Sequence, residues 1–185
     1  MAHSVCLTVF SDNNPGLLHR VTAVFTRRKI NIESLTVSET EFPGVSRYTI
    51  VINAEKDIAG KLAEQIRKII EVHEVIVGED EAIVSREVAL IKILRREDGG
   101  LSQVIEDHHL VLVSESTHVL IFERTGAVEE VSDALFALRP FGIIEFVRSG
   151  RISMAAIPSR WDEAIHSGSQ GDGAFSPEKR CSSII

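Results

Sequence analysis

The chain has 185 residues, 44% hydrophobic and 25% charged, a composition ordinary for a soluble globular protein with room for one domain or two small ones. Its formal net charge of −7 argues against a nucleic-acid binder, which needs a basic face. Residues 1–78 hold 9 Lys/Arg and 9 Asp/Glu, and residues 79–185 hold 11 and 18, so the whole excess sits in the second half, as a difference in role or as solubility alone.

Residues 4–10 alternate, with Val5, Leu7 and Val9 against Ser4, Cys6 and Thr8. This period of two predicts a strand. Ser11-Asp12-Asn13-Asn14-Pro15-Gly16 follows as a turn and helix start, since Asn offers a capping oxygen and Pro is tolerated in a first helical turn. A helix fits 17–28, with Leu17, Val21, Val24 and Phe25 apolar at helical spacing and Arg27, Arg28 and Lys29 at the end that favours cations. Residues 32–38 read as a strand, Pro43-Gly44 as a turn, and 47–53 as a third strand. Ile58, Leu62, Ile66, Ile69 and Ile70 recur at helical spacing over 57–70. Residues 72–77 make a fourth strand, ended by Gly78. The order β-α-β-β-α-β in under eighty residues is the split-βαβ, ferredoxin-like pattern.

The second half repeats that order more loosely: a strand over 85–94, a turn at Asp98-Gly99-Gly100, a short helix over 101–108, strands over 110–113 and 118–123, a helix over 127–138 and a strand over 143–147. The repeat is one of pattern, without residue-level identity. The class is α+β, divided into 1–78, 79–160 and a polar, low-complexity tail at 161–185 that is expected to be disordered alone; Trp161 and Ile184-Ile185 are its only candidates for docking. No transmembrane stretch and no signal-peptide pattern is present. Cys6 and Cys181 suggest neither a disulfide framework nor a metal knuckle, and a reducing, cytoplasmic compartment is expected.

Candidate chemistry is sparse. His108-His109 has no Cys or further His at metal-ligand spacing, and a solvated loop explains it. His19 has no nucleophile or orienting carboxylate placed near it by sequence. No P-loop, G-x-S-x-G elbow or zinc-protease signature occurs. A catalytic role is therefore not expected, nor a cofactor in this chain. The informative segment is the turn between the first strand and first helix. Helix N-termini carry unpartnered N–H groups that attract a carboxylate. Gly16 leaves the backbone open to close approach, Asn13 offers donor and acceptor to a zwitterion, and Leu17 and Leu18 stand near enough to line an apolar pocket. These features suit a small apolar amino acid; Asn-Pro-Gly is equally an ordinary helix start.

The run Asn13-Asn14-Pro15-Gly16-Leu17-Leu18-His19-Arg20-Val21 resembles the first turn of an ACT domain. With Lys29-Ile30-Asn31-Ile32-Glu33-Ser34-Leu35-Thr36-Val37, Ser46-Arg47-Tyr48-Thr49-Ile50, Ser85-Arg86-Glu87-Val88-Ala89-Leu90-Ile91-Lys92-Ile93 and Arg148-Ser149-Gly150, it is similar to the small regulatory subunit of acetolactate synthase (acetohydroxyacid synthase) over about residues 3–160. The resemblance implies an ACT domain followed by a shorter ACT-like domain. It also implies a homodimer that binds valine or a related branched-chain amino acid, activates a catalytic subunit and confers feedback inhibition. It places Asn13, Pro15, Gly16, Leu17 and Leu18 on one side of the site and Asn31 and Ile32, from the neighbouring protomer, on the other. Thiamine diphosphate, Mg²⁺ and FAD belong in that family to the catalytic partner. Three departures stand out: Lys29 where relatives commonly have Gly, a second domain shortened between Leu94 and Leu110 where relatives carry a longer helix, and a tail after Arg160 unlike that of the family. The alternatives are a free-standing amino-acid sensor acting on another enzyme or regulator, and a constitutive activator with a dead ligand site.

Overall fold

The computed structural model describes residues 3–78, 83–95 and 100–156. They form two compact units. The first holds residues up to Val84 and resumes at Ser153; the second runs from Ser85 to Ile152.

In the first unit, β1 (His3–Asp12), α1 (Leu17–Arg27), β2 (Ile32–Glu39), β3 (Val45–Ala54), α2 (Lys56–Arg67) and β4 (Val72–Gly78) follow the expected order. The sheet runs β2-β3-β1-β4, with every neighbouring pair antiparallel. The alternation read from the sequence sets its inner face. Val5, Leu7 and Val9 of β1 and Tyr48, Ile50 and Ile52 of β3 point at the helices. They pack with Val21, Val24 and Phe25 of α1 and Ala59, Leu62, Ala63 and Ile66 of α2. Each large side chain so buried contributes about 1.5–3 kcal/mol, and this cluster is what fixes α1 over the sheet.

The second unit repeats the path: β5 (Ile83–Leu94), α3 (Leu101–Asp107), β6 (Val111–Glu115), β7 (Val119–Gly126), α4 (Val128–Leu138) and β8 (Ile143–Arg148). Its sheet runs β6-β7-β5-β8, the same order as the first, and β9 (Ile152–Ala155) also pairs with β5. Ala89, Ile91 and Ile93 of β5 meet Phe122, Val131, Ala134 and Leu138. Glu87 is buried in this unit and accepts a short charge-assisted bond from Arg148. The Val128 carbonyl accepts a second, longer bond from the same guanidinium nitrogen of Arg148.

Both first helices end the same way. Lys29 N–H donates to the Thr26 carbonyl and Ile30 N–H to the Phe25 carbonyl. His109 N–H donates to Glu106 and Leu110 N–H to Ile105. These pairs are Schellman motifs, which need a left-handed residue after the cap. Lys29 (φ 55°) and His109 (φ 49°) fill that position. Lys29 therefore carries the positive φ that a glycine would supply without strain. His109 is a structural helix end rather than a loose loop residue.

Four expectations need correction. First, α2 stops at Arg67, not residue 70. The chain tightens there, with Lys68 N–H donating to Gln65 and Ile69 N–H to Ile66, and then Val72 must enter the ladder opposite Ser11. Helix geometry cannot continue into that register, so Ile70 leaves the core side and is 95% exposed. Second, β9 and a 3₁₀ turn at Arg139–Phe141 were not expected; neither is long enough to show a period. Third, the strand expected over 85–94 starts at Ile83. β5 is one continuous strand, and Ser153 belongs with the first unit. There Ser153 Oγ lies 3.3 Å from Cys6 Sγ, and its carbonyl accepts from Arg47. Fourth, β6 is shifted to Val111–Glu115 and β7 extends to Gly126. The tail at 161–185, with Trp161, Cys181, Ile184 and Ile185, lies outside the described residues. Among the described residues no helix is long and apolar enough to cross a membrane.

Candidate functional site

The β1–α1 turn is held at three points. Asp12 N–H donates to the Glu71 carbonyl at 2.9 Å, Asn13 N–H to the Gly44 carbonyl at 2.7 Å, and Leu17 N–H to the Asn14 carbonyl at 3.3 Å. Gly16 occupies the cap position of α1 in the left-handed region (φ 83°, ψ −8°) and no side chain caps the helix. A Cβ built there meets nothing within 4 Å, so the glycine is required by its backbone angle and not by crowding.

The consequence is a bare helix start. Arg20 N–H reaches back to the Gly16 carbonyl. Among the described residues, the N–H groups of Leu18 and His19 have no acceptor. Two aligned donors at the positive end of a helix dipole are a receptor for a carboxylate. No acidic residue occupies the first turn of α1 to compete for them.

Asn13, Pro15 and Gly16 are exposed around this point. Leu18 is 40% exposed and offers apolar surface beside the two donors. Leu17 is wholly buried. It anchors the turn from below, and what it can present to a ligand is backbone. One group that sequence reading did not single out as a binder is the Asp12 carboxylate, at the end of β1. It is partly exposed, and His73 Nε2 lies 2.8 Å from it. No local signal announces His73, because its place beside Asp12 comes from the β1–β4 register. Arg20 and Glu71 close the other flank at 2.5 Å. That bond and the cation's charge hold the Glu71 carboxyl below its ordinary range and raise Arg20 above its own.

Asn31 and Ile32 are not part of this cluster within one chain. Ile32 is in register with Ile52, and Ile52 with Val5. The turn follows the other end of β1, where Ser11 stands opposite Ser46 and Ser46 opposite Glu39. Six residues of strand separate the two levels, about 20 Å at 3.3 Å per residue. Asn31 meanwhile donates to Glu33 at 3.1 Å. Among the described residues no group of three or more His, Cys, Asp or Glu is arranged to hold a metal ion.

The comparisons with known proteins bear on both units. Residues 7–74 match the family model described as the AHAS small subunit-like ACT domain, and residues 86–157 match the model for the small subunit of acetolactate synthase. The chain belongs to the acetolactate synthase small-subunit family. It is 42% identical over 155 residues to the acetolactate synthase small subunit of Mycobacterium leprae, covering 82% of this chain and 91% of that one. The small subunit of Bacillus subtilis is 36% identical over 161 residues, with 84% and 91% covered. The crystal structure of the acetolactate synthase small subunit from Thermotoga maritima superposes with a TM-score of 0.77 at 30% identity, over 85% of this chain and 99% of that one. As a member of this family the chain is a small subunit with an ACT-type first unit, and its ferredoxin-like α+β class holds across both units.

Proposed function

We propose that this chain is the regulatory subunit of an acetolactate synthase and that its β1–α1 turn binds valine or a related branched-chain amino acid. In this reading it activates a catalytic subunit and makes that subunit sensitive to the end product. The observation that carries the reading is the uncapped start of α1: two free N–H donors behind a left-handed glycine, with Leu18 beside them and Asp12 within the same turn. A ligand carboxylate fits the donors, its ammonium group fits the Asp12 carboxylate and the Asn13 amide oxygen, and its branched side chain fits Leu18. The chemistry of the synthase, with thiamine diphosphate, Mg²⁺ and FAD, belongs in this reading to the catalytic partner.

The site is completed by a second copy. Among the described residues β2 is an edge strand with β3 as its one neighbour, and such an edge favours pairing. If two β2 edges pair antiparallel about a two-fold axis, Ile32 of one copy falls opposite Glu39 of the other. That is the level of the β1–α1 turn, so Asn31 and Ile32 reach the ligand from the neighbouring copy. A ligand held between two copies binds one quaternary arrangement better than another, and that difference in affinity is what can be transmitted to the catalytic subunit.

The test is calorimetric titration of the chain with valine, leucine and isoleucine, with glycine as control, followed by the same titrations of Gly16→Asp. The substitution sets a carboxylate at the mouth of the anion site. Saturable valine binding is expected in the parent chain and its loss in the variant; retained valine sensitivity in Gly16→Asp would remove the turn from the site. Activation of the catalytic subunit without any response to branched-chain amino acids would instead make the chain a constitutive activator. Binding without any effect on acetolactate synthase would make it a sensor for another system.

A further inference from the structure

The outward side of α1 and α2 carries a groove of about 850 Å³ that the amino-acid site does not use. Its floor is apolar, from Ala23, Val24 and Ile69, and Ile70 stands at its rim almost fully exposed. Cations surround that strip: Arg27, Arg28 and Lys68, with Arg20 at the end nearest the β1–α1 turn, where His19 also lines the groove. Arg20 is neutralised by Glu71. Among the described residues Arg27 donates to the Ala23 carbonyl and Arg28 to the Gln65 amide oxygen. Among the described residues no carboxylate lies within ion-pair distance of Arg27, Arg28 or Lys68.

This is an unusual charge state for the molecule. The first 78 residues are neutral overall and the chain as a whole is acidic, so three uncompensated cations on one groove are a local excess. The helices of the second unit show no such patch; the start of α4 carries Glu129 and Glu130. An apolar strip ringed by like charges has the anatomy of an interface, with a desolvated centre and a charged rim. A small anion would use the cations and leave Ile70 in water. A protein segment with carboxylates flanking an apolar side chain uses both.

We propose that the α1–α2 groove docks an acidic segment of the catalytic subunit, with an apolar side chain seated against Ile69 and Ile70 and carboxylates on Arg27, Arg28 and Lys68. The inference rests on the reading of the chain as a regulatory subunit. It adds the surface through which that role is exercised. It also gives α1 two tasks: its N-terminus receives the amino acid and its outer face lines the docking groove. One rigid element touching both sites is a direct physical route for coupling them.

The test uses the reconstituted holoenzyme. The catalytic subunit is titrated with the parent chain, with Arg27→Glu/Arg28→Glu, with Ile70→Asp, and with Lys61→Glu as an exposed charge change on α2 outside the groove. Acetolactate formation and valine binding are read for each, and circular dichroism checks the fold. The concentration for half-activation is expected to rise about tenfold or more for both groove variants and to stay put for Lys61→Glu, with valine binding intact. The parent's affinity is expected to weaken with salt. Parent-like activation by both groove variants would overturn the docking surface and leave the regulatory reading standing. A parent chain that fails to activate the catalytic subunit at all would overturn the regulatory reading and the docking surface with it. Calorimetric binding of inorganic pyrophosphate, lost in Arg27→Glu/Arg28→Glu while activation persists, would make the groove a small-anion site and overturn its assignment to a protein partner.

Discussion

The two units of this chain run the same strand order and close their first helices with the same left-handed motif, at Lys29 and at His109. They differ at the other end of that helix. In the first unit α1 is eleven residues long and starts from Gly16 at φ 83°. In the second, α3 is seven residues long and starts from Gly100 at φ −95°, with no fully buried side chain. The cores differ in the same sense. Among the described residues the first unit's cluster includes Phe25 and four buried side chains of α2, whereas the second relies on α4 and on Phe122 and Phe141. A topology can thus be duplicated while, among the described residues, only one copy gives its first helix fully buried side chains and a left-handed glycine at its start.

The comparison can be broken most forcefully in the cores. Phe25→Ala is expected to cost about 3–5 kcal/mol in the first unit, and Phe122→Ala a similar amount in the second. Amide hydrogen exchange would show protection lost in the unit that carries each substitution. If either truncation releases both sheets equally, the units are not separately cooperative. A smaller effect of opposite sign is expected at the shared helix ends. Lys29→Gly and His109→Gly each relieve a left-handed side-chain residue and should stabilise by about 1 kcal/mol, read as a higher denaturation midpoint at unchanged slope. A destabilised Lys29→Gly would mean that the lysine side chain makes a compensating contribution in solution.

The smallest effect separates the second helices of the two units. α4 begins at Ala127, which has no side-chain acceptor, but the Glu130 carboxylate accepts the Ala127 N–H at 2.6 Å. This is half of a capping box, and α2 has no side-chain cap at all. The Glu130 carboxyl is held below its ordinary range, first by that N–H and then by the charges of Arg124, Arg86 and His109. A lowered folded-state value means that its contribution is present above the ordinary carboxylate range and is lost as pH falls through the lowered value. Glu130→Gln should therefore lower the second unit's stability slightly at neutral pH and leave it little changed in acid, which flattens the acid limb; an unaltered acid limb in a pH series of denaturation curves would exclude this cap as its cause.

Much of this was legible in the residues. The period of two in β1 placed Val5, Leu7 and Val9 on one face, because a pleated strand has no other way to bury one face. Helical spacing placed Val21, Val24 and Phe25 for the same kind of reason. The turn from Asn13 to Leu18 was readable as a helix start, and the segment strings around it were readable as a family resemblance. The family resemblance also marked Lys29 as a residue where relatives commonly have glycine.

Tertiary structure alone decided the rest. The sequence put Ile70 on the inner face of α2, but the register that seats Val72 opposite Ser11 ends the helix at Arg67 and turns Ile70 outward. Leu17, readable as a pocket wall, is wholly buried because α1 lies down on its sheet. Asn31 and Ile32 sit about 20 Å of strand away from the turn, a separation set by pairing through β3 and invisible to spacing along the chain. His73 comes beside Asp12 only through the β1–β4 ladder. Periodicity reports which way a side chain faces within its own element; ladder register, which is fixed by contacts between distant segments, decides which elements end where and which residues meet.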